Sequence, residues 1–382
     1  MAILRDVCSK ITDGSHNPPT GIETSEYMML SSKNIEDDNI TYNNPRYLDQ
    51  TEFETEDRRT QISSGDLLMT IVGTVGRVAV VDCHTRNICL QRSVAVLKPK
   101  AETVDSRFLM YQIQSMRQLI ENESHGVAQK GIYLSQVEKL PIILPDLPTQ
   151  RRIAATLDKV SEGIALCKQM LADLDELVKS QFVEMFGAID SNEKGWLKEP
   201  LLKHAEVLVG YPFPSTGYAE EGIKIVGGYN LMQGYINWED SKHWPDPTGY
   251  EQYLLKEGDI VMAMDRPWTG DGFKMAFIEG NKLPSILIQR TACIRSKDLS
   301  NEFLYAMLNS TWFAEHCDVK GSLVPHISNK DINSFSIFIP PVELQREYAA
   351  FYQQADKSKI AVQQQLAELE TLKKSLMQEY FG

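Results

Sequence analysis

The sequence predicts an α+β chain: two β-rich domains, each followed by a long helix, with the helices paired as an antiparallel coiled coil and the halves related by an internal pseudo-two-fold repeat. Three observations predict it. First, Ile153, Leu157, Val160, Ile164, Cys167, Leu171, Leu174 and Val178 recur at alternating steps of four and three, a heptad seam that needs another helix alongside it. Second, an offset of 195 residues lays the C-terminal run on this one without a gap. Gln150 falls on Gln345, Arg151 on Arg346, Leu171 on Leu366, Leu174 on Leu369, and Phe186–Gly187 on Phe381–Gly382. Third, short alternating apolar runs broken by Gly, Pro and Asn precede each helix, the signature of strands with irregular loops.

Taken in order, residues 1–147 form the first domain, with strands expected at Met28–Leu30, Leu67–Ile71, Val78–Val81 and Val94–Leu97. One helix is expected over Ser106–Ile120, and two short strands over Ile132–Val137 and Leu140–Leu144. The first long helix covers residues 148–187. Pro148 suits its first turn, Thr149 is a candidate cap, and Gly187 supplies the stop. At about 1.5 Å per residue such a helix is roughly 55–60 Å long. A polar linker at residues 188–195 is short enough to reverse the chain, which favours antiparallel helices. The second domain, to residue 341, repeats the plan: strands near Ile223–Val226, Ile260–Ala263, Lys274–Ile278 and Thr291–Arg295, and a helix near Glu302–Phe313. The second long helix covers residues 342–382. The seam comprises Ile153, Leu157, Val160, Ile164, Leu171 and Leu174 on one helix and Tyr352, Val362, Leu366 and Leu369 on the other.

Composition bounds the function. With 382 residues, 42% hydrophobic and 24% charged, the chain reads as an ordinary soluble protein of two or three domains. No apolar run is long enough to span a bilayer and the N-terminus has no secretory apolar region, so a cytoplasmic location is expected. Six scattered cysteines form no C-x-x-C pair, which argues against a disulfide framework or zinc knuckle. The net charge of −13 argues against a nucleic-acid partner. Its distribution weakens that argument: residues 1–64 carry 6 Lys/Arg against 12 Asp/Glu, whereas residues 85–152 carry 10 against 6.

No catalytic constellation emerges. There is no G-x-x-x-x-G-K-[ST] for nucleotide hydrolysis. Gly73–Gly76 and Gly227–Gly228 lack the strand-to-helix context of a phosphate loop and read as tight turns. Asn17-Pro-Pro-Thr20 lacks the aromatic that stacks on an extruded base in amino-methyltransferases, and Asn44-Pro-Arg-Tyr47 lacks the second proline. The seven histidines show no metal spacing, and His16 and His326 stand out for lying in loops rich in small polar residues. Asp13-Gly-Ser-His16 fits a β turn and a contact role alike. Arg77, Arg92, Arg266 and Arg290 sit at loop edges, where they either pair with local carboxylates or contact phosphate and guanine. Tyr211 and Trp268 read as loop anchors or stacking groups.

These features together resemble the specificity subunit of type I restriction–modification systems, over essentially the whole chain. The resemblance rests on Ile11-Thr-Asp-Gly-Ser-His16 as an opening turn, on Gly65-Asp-Leu-Leu with Gly73-Thr-Val-Gly-Arg77 as a glycine-rich strand pair, and on a Gln-Arg step at 91–92 and 289–290. It rests also on Pro145 to Arg151 and Pro340 to Arg346 as the proline–Gln–basic lead into helices ending in Phe-Gly. The second half departs from the pattern, with Val209-Gly-Tyr-Pro-Phe213 in place of the Asp-Gly-Ser-His turn.

The resemblance implies two target recognition domains, each binding one half of a split double-stranded DNA sequence, and no catalysis by this chain. It implies two methyltransferase subunits docked around the helices and restriction subunits joining them. S-adenosylmethionine, Mg and ATP would belong to those partners, with no cofactor here. The DNA-facing candidates are Thr12, Asp13, Ser15, His16, Thr74, Arg77, Gln91, Arg92 and Lys130 in the first half. In the second they are Tyr211, Arg266, Trp268, Gln289, Arg290 and His326. A helix of roughly 55–60 Å is commensurate with a bipartite site of about 14 base pairs, some 48 Å. The rival reading, which suits the acidic charge, is a protein-binding scaffold with no affinity for DNA.

Overall fold

The computed structural model describes residues 2–124, 131–270, 272–319 and 325–382. The chain divides into two compact units, Met1–Gln169 with Gln363–Gly382, and Met170–Val362. Each contains one sheet domain and a stretch of both long helices.

In the first unit a four-stranded antiparallel sheet runs in the order Cys8–Asp13, Val94–Pro99, Leu67–Thr70, Val78–Val80. A three-stranded sheet runs Arg46–Leu48, Tyr27–Leu30, Ile88–Leu90, with the last pair parallel. A small pairing of Ala2–Ile3 with Pro141–Ile142 ties the N-terminus to the segment leading into the first long helix. The second unit repeats all three. Its four-stranded order is Ala205–Val209, Thr291–Ser296, Ile260–Ala263, Met275–Phe277, and its three-stranded order is His243–Trp244, Ile223–Val226, Ser285–Leu287. Leu197–Pro200 pairs with Ser336–Ile339. The duplication read from the helices therefore extends through the topology of both sheets.

The central strands read as unbroken apolar runs because both faces are covered. Side chains alternate across a strand: Leu67, Met69, Ala95 and Leu97 enter one core with Phe108 and Leu109, while Leu68, Val94 and Val96 enter another with Leu30 and Ile88. In the second unit Ile260, Met262, Ala292 and Ile294 face one core, and Val261, Ala263 and Cys293 the opposite one.

Several local expectations change. The segment expected as a strand over Ile132–Val137 contains the short helix Leu134–Val137, matched by Asn329–Ser334. Four residues are too few for periodicity to separate the two states. The single helices expected near Ser106–Ile120 and Glu302–Phe313 are each broken, into Ser106–Ser115 and Arg117–Glu123, and into Asn301–Leu308 and Thr311–His316. The second break is made by Ser310, whose hydroxyl accepts from Phe313 N–H at 3.1 Å and starts a new helix. A helix at Gln50–Thr60, capped by Asp49 and ended by a left-handed Gln61, was not expected. Phe53, stacked on Tyr27 at 4.8 Å, is its main apolar anchor, so no apolar stripe betrays it. The edge strands Cys8–Asp13 and Ala205–Val209 also escaped notice.

The long helices are Leu147–Phe186 and Val342–Phe381, each 40 residues. Asp146, not Thr149, caps the first: its carboxylate accepts from Thr149 N–H at 3.2 Å. Gly187, at φ 84°, ends it. Within each unit the two helices run antiparallel. In the first, Ile153 and Leu157 share a core with Leu376 and Tyr380, and further along Gly163 faces Leu369. In the second, Asp175 pairs with Lys359 at 2.5 Å, and Phe182 and Phe186 pack on Tyr348. Ile153, Leu157, Val160 and Val362 are buried, whereas Ile164, Leu171, Leu174, Tyr352, Leu366 and Leu369 are half-buried. Two helices alone leave the flanks of a seam open, and its ends are covered where a sheet domain adds a third surface.

One buried amide fastens each helix to its domain. Gln150 donates from Nε2 to the carbonyls of Pro145 (2.7 Å) and Thr103 (3.1 Å), and its Oε1 accepts from Asp105 N–H at 2.8 Å. Gln345 does the same with Pro340 O (2.9 Å) and Ser300 N–H (3.0 Å).

Three outcomes are expected. Cysteines replacing Gly163 and Leu369 should form an intramolecular cross-link detectable by a mobility shift; no cross-link under oxidising conditions would contradict the antiparallel pairing, because a Cβ at 163 lies 3.1 Å from the Leu369 side chain. Gln150→Ala should cost roughly 2–3 kcal/mol in denaturant unfolding, since it strands a buried N–H and carbonyls. A Cβ at Gly14 or Gly210 would lie 2.1 Å from Leu90 O or 2.0 Å from Ile288 O, whereas one at Gly228 meets nothing within 4 Å. Gly14→Ala and Gly210→Ala should therefore destabilise by several times the ~1 kcal/mol of an ordinary substitution, and Gly228→Ala should leave the melting temperature nearly unchanged.

Candidate nucleic-acid interface

The candidate residues converge where the four-stranded sheet meets the three-stranded one. In the first unit the strand Cys8–Asp13 ends at Gly14, which passes so close beneath Leu90 that no side chain fits. The chain then bridges Ser15 to Gln91, with Ser15 N–H on Leu90 O (2.7 Å) and Arg92 N–H on Ser15 O (2.8 Å). The second unit repeats the crossing: Gly210 passes under Ile288, Tyr211 bridges Ile288, and Gln289 N–H donates to Tyr211 O at 2.8 Å. The glycine of the Asp-Gly-Ser-His turn is thus a packing requirement, and Val209-Gly-Tyr keeps it although the flanking residues differ.

This geometry corrects the Gln-Arg comparison. Gln91 N–H donates to Leu30 O and Arg92 N–H to Ser15 O, while the equivalent donors are Ile288 (to Val226 O) and Gln289 (to Tyr211 O). Arg92 therefore corresponds to Gln289, and Ser93 to Arg290. The two pairs are one residue out of step.

In the first unit Thr12 and Asp13 are buried and occupied. Arg59, on the helix Gln50–Thr60, donates to Thr12 Oγ1 at 3.3 Å and pairs with the Asp13 carboxylate. Asp13 also holds His16, Nε2 to Oδ2 at 2.9 Å. His16 and Arg92 are exposed and share with Asp13 the wall of a cavity of about 260 Å³, floored by Ile71, Val72 and Ile132 and flanked by Tyr133. Ser15 and Gln91 are half-buried beside them. Thr74 is exposed and Arg77 half-buried on the loop between two sheet strands. That loop closes on Thr70, whose hydroxyl donates to Thr74 O (2.5 Å) and accepts from Arg77 N–H (3.0 Å). Lys130 lies outside the described residues.

In the second unit Tyr211 replaces the polar turn with an aromatic cluster, its ring 5.0 Å from Phe213, 4.8 Å from Tyr250 and 5.4 Å from Tyr253. The hydrogen bond with Tyr250 raises the Tyr211 phenol above its ordinary pKa. Trp268 is anchored, its ring edge-on to Phe273 at 4.9 Å and its Nε1 donating to Gly270 O at 2.8 Å. Arg266, Gln289, Arg290 and His326 are exposed. Arg290 and His326 meet on Asp265, at 3.0 and 2.5 Å.

The structure thus gathers His16, Gln91 and Arg92 in one unit and Gln289, Arg290 and His326 at the corresponding place in the other. Arg59, which pairs with the Asp13 that holds His16, and Asp265, which holds Arg290 and His326, were missed. Asp265 could have been suspected from its place beside Arg266 in a Gly-bounded loop; Arg59 gave no signal, because its partner is 46 residues away. Among the described residues no group of three or more His, Cys, Asp or Glu is placed to hold a metal ion, and no helix is long and apolar enough to cross a membrane.

Comparison with known proteins agrees with this architecture. Residues 23–176 and 232–371 match the family described as type I restriction modification DNA specificity domain. The chain is 23% identical over 306 residues to the type I restriction enzyme MjaVIII specificity subunit of Methanocaldococcus jannaschii, covering 75% of this chain and 72% of that one. It is 36% identical over 130 residues to the EcoAI specificity subunit of Escherichia coli, covering 33% of this chain and 22% of the other. The fold resembles the crystal structure of the S subunit of a type I restriction–modification system from M. genitalium, with a TM-score of 0.64 at 15% identity over 100% of this chain and 95% of that one. With two matched segments spanning both halves of the duplicated fold, this chain belongs to the type I restriction–modification DNA specificity family.

Proposed function

We propose that this chain is the non-catalytic DNA-recognition subunit of a methyltransferase and endonuclease assembly, reading a bipartite double-stranded target with one sheet domain per half-site. The observation that carries the proposal is the repeated backbone crossing at Gly14 and Gly210, which sets exposed polar and basic residues at matching places while the residues themselves differ. A frame kept twice with different side chains at its exposed loops suits two readers of different sequences. Residues 1–147 and 188–341 are the target recognition domains on this reading, and His16, Gln91, Arg92, Gln289, Arg290 and His326 reach base edges or phosphates from them. Thr12 and Asp13 hold that surface rather than touch DNA.

Two methyltransferase subunits dock around the long helices and restriction subunits join the complex. Leu166, Met170 and Leu177 are exposed on the first helix, an apolar row that suits a protein partner. S-adenosylmethionine, Mg and ATP are bound by those partners rather than by this chain, and the assembly works in the cytoplasm.

A segment exchange tests the reading. Replacing residues 196–341 by the matching segment of a relative should change one half of the methylated sequence and leave the other intact, as mapped across a genome in the presence of the methyltransferase. One heptad inserted between Val178 and Phe186 should keep both half-sites and alter their separation. If the exchange alters both halves, or the insertion alters base identity, the two-reader arrangement is wrong. Loss of all methylation together with absence of duplex binding by the parent complex would favour a protein scaffold without DNA affinity.

A further inference from the structure

The two units make the same backbone junction with different chemistry. In the first, Val72 bridges Gly131, Ile132 N–H donates to Ile71 O at 2.9 Å, and Ile71 N–H donates to Ser93 O at 2.9 Å. In the second, Asp265 bridges His326, Ile327 N–H donates to Met264 O at 2.8 Å, and Met264 N–H donates to Arg290 O at 2.9 Å. Val72, Gly131 and Ser93 are thus replaced by Asp265, His326 and Arg290. The junction forms without a single ionisable side chain in one unit and carries three in the other, so the fold does not require them.

Stability does not explain them either. Arg290 is 72% exposed, His326 56% and Asp265 35%, and ion pairs this open add little once solvent screens them. Arg290 also occupies the left-handed region, at φ 64°, as does its neighbour across the junction, Arg266, at φ 46°. Glycine or asparagine adopts that conformation more readily than arginine. Non-glycine residues held there by surrounding hydrogen bonds cluster at sites where the side chain is used. Here Arg266 is held by its N–H on Pro325 O at 2.9 Å, and Arg290 by its carbonyl on Met264. Asp265 receives Arg290 Nη1 on one oxygen (3.0 Å) and His326 Nδ1 on the other (2.5 Å). It binds one end of the guanidinium fork, and the arginine side chain stays 72% exposed.

We infer that Asp265 is a positioning residue that presents Arg290, with His326 beside it, to the O6 and N7 edge of a guanine in the half-site taken by the second unit. A planar guanidinium pre-oriented by a carboxylate matches that pair of acceptors, which no other base offers in the major groove. The inference rests on the DNA-reading function proposed above and adds to it a base, a groove and three residues.

The test uses the full chain assembled with its methyltransferase subunits. The target of the parent complex is mapped first, and a synthetic duplex of that sequence is made with guanine or 7-deazaguanine at each guanine of the second half-site. The parent should bind one 7-deaza duplex about tenfold to a hundredfold more weakly than the natural one. Arg290→Ala and Asp265→Asn should bind the two duplexes alike and methylate genomic sites in which that one base pair is relaxed, with the other half-site unchanged. Arg290→Ser, which installs the residue the first unit carries at the equivalent junction position, serves as a second variant. A second half-site without guanine, variants that keep full discrimination, or a uniform loss at every base position with a lowered melting temperature would each overturn the inference while leaving the two-reader function standing. A parent complex that neither binds duplex nor methylates would instead overturn that function, and the inference with it.

Discussion

Each sheet domain depends on a crossing at which one strand end passes within contact distance of another chain segment's carbonyl. At Gly14 and Gly210 the space above the α-carbon is filled by Leu90 O and Ile288 O, so only a residue without a β-carbon allows the approach. The crossing closes the four-stranded sheet against the three-stranded one and forces residues 15–16 alongside 91–92, and Tyr211 alongside 288–289. Packing thus creates the surface at which the exposed His, Arg and Gln side chains collect.

The long helices join this frame through a different constraint. Gln150 and Gln345 are buried among carbonyls that no secondary structure satisfies, and each amide satisfies a donor and an acceptor of its own domain at once. A buried amide with matched partners fixes direction as well as distance, which an apolar contact does not. The helices also show where the halves diverge. In the first unit Arg107 bridges Asp38 and Asp158, and Tyr111 donates to Asp158 at 2.7 Å. Burial opposes the charge on Arg107, but the two carboxylates outweigh it and raise its pKa. The corresponding pair in the second unit is Glu302 with Gln353, at 2.6 Å. The junction is preserved, with an ion pair in one unit and an amide-to-carboxylate hydrogen bond in the other.

The same divergence at the exposed junction separates framework from function. At Gly14 and Gly210, and at Gln150 and Gln345, the residue shared by the two units packs or hydrogen-bonds inside the domain. At the shared backbone bridge the residue types differ, Val72 and Gly131 in one unit and Asp265 and His326 in the other. A duplicated chain carries its own comparison.

Local periodicity and self-similarity determined much of this protein. The heptad of Ile153 to Val178 and its copy at Leu366 and Leu369 were legible because burial along a helix repeats on a fixed step. The strands Leu67–Thr70 and Ile260–Ala263 were legible because both of their faces are covered by apolar cores. The helix Gln50–Thr60 was not, since it rests on one stacked ring, nor were the break at Met116 and the one at Ser310, where a hydroxyl cap overrides a continuous apolar pattern. Of the candidate surface, the exposed arginines and histidines could be named from loop chemistry. Only the tertiary structure decided that Thr12 and Asp13 face inward onto Arg59, that Gln91–Arg92 and Gln289–Arg290 are one residue out of step, and that Asp265 gathers Arg290 and His326. These are contacts between residues far apart in the chain, set by strand register and by where two segments cross, and neither leaves a periodic trace in sequence.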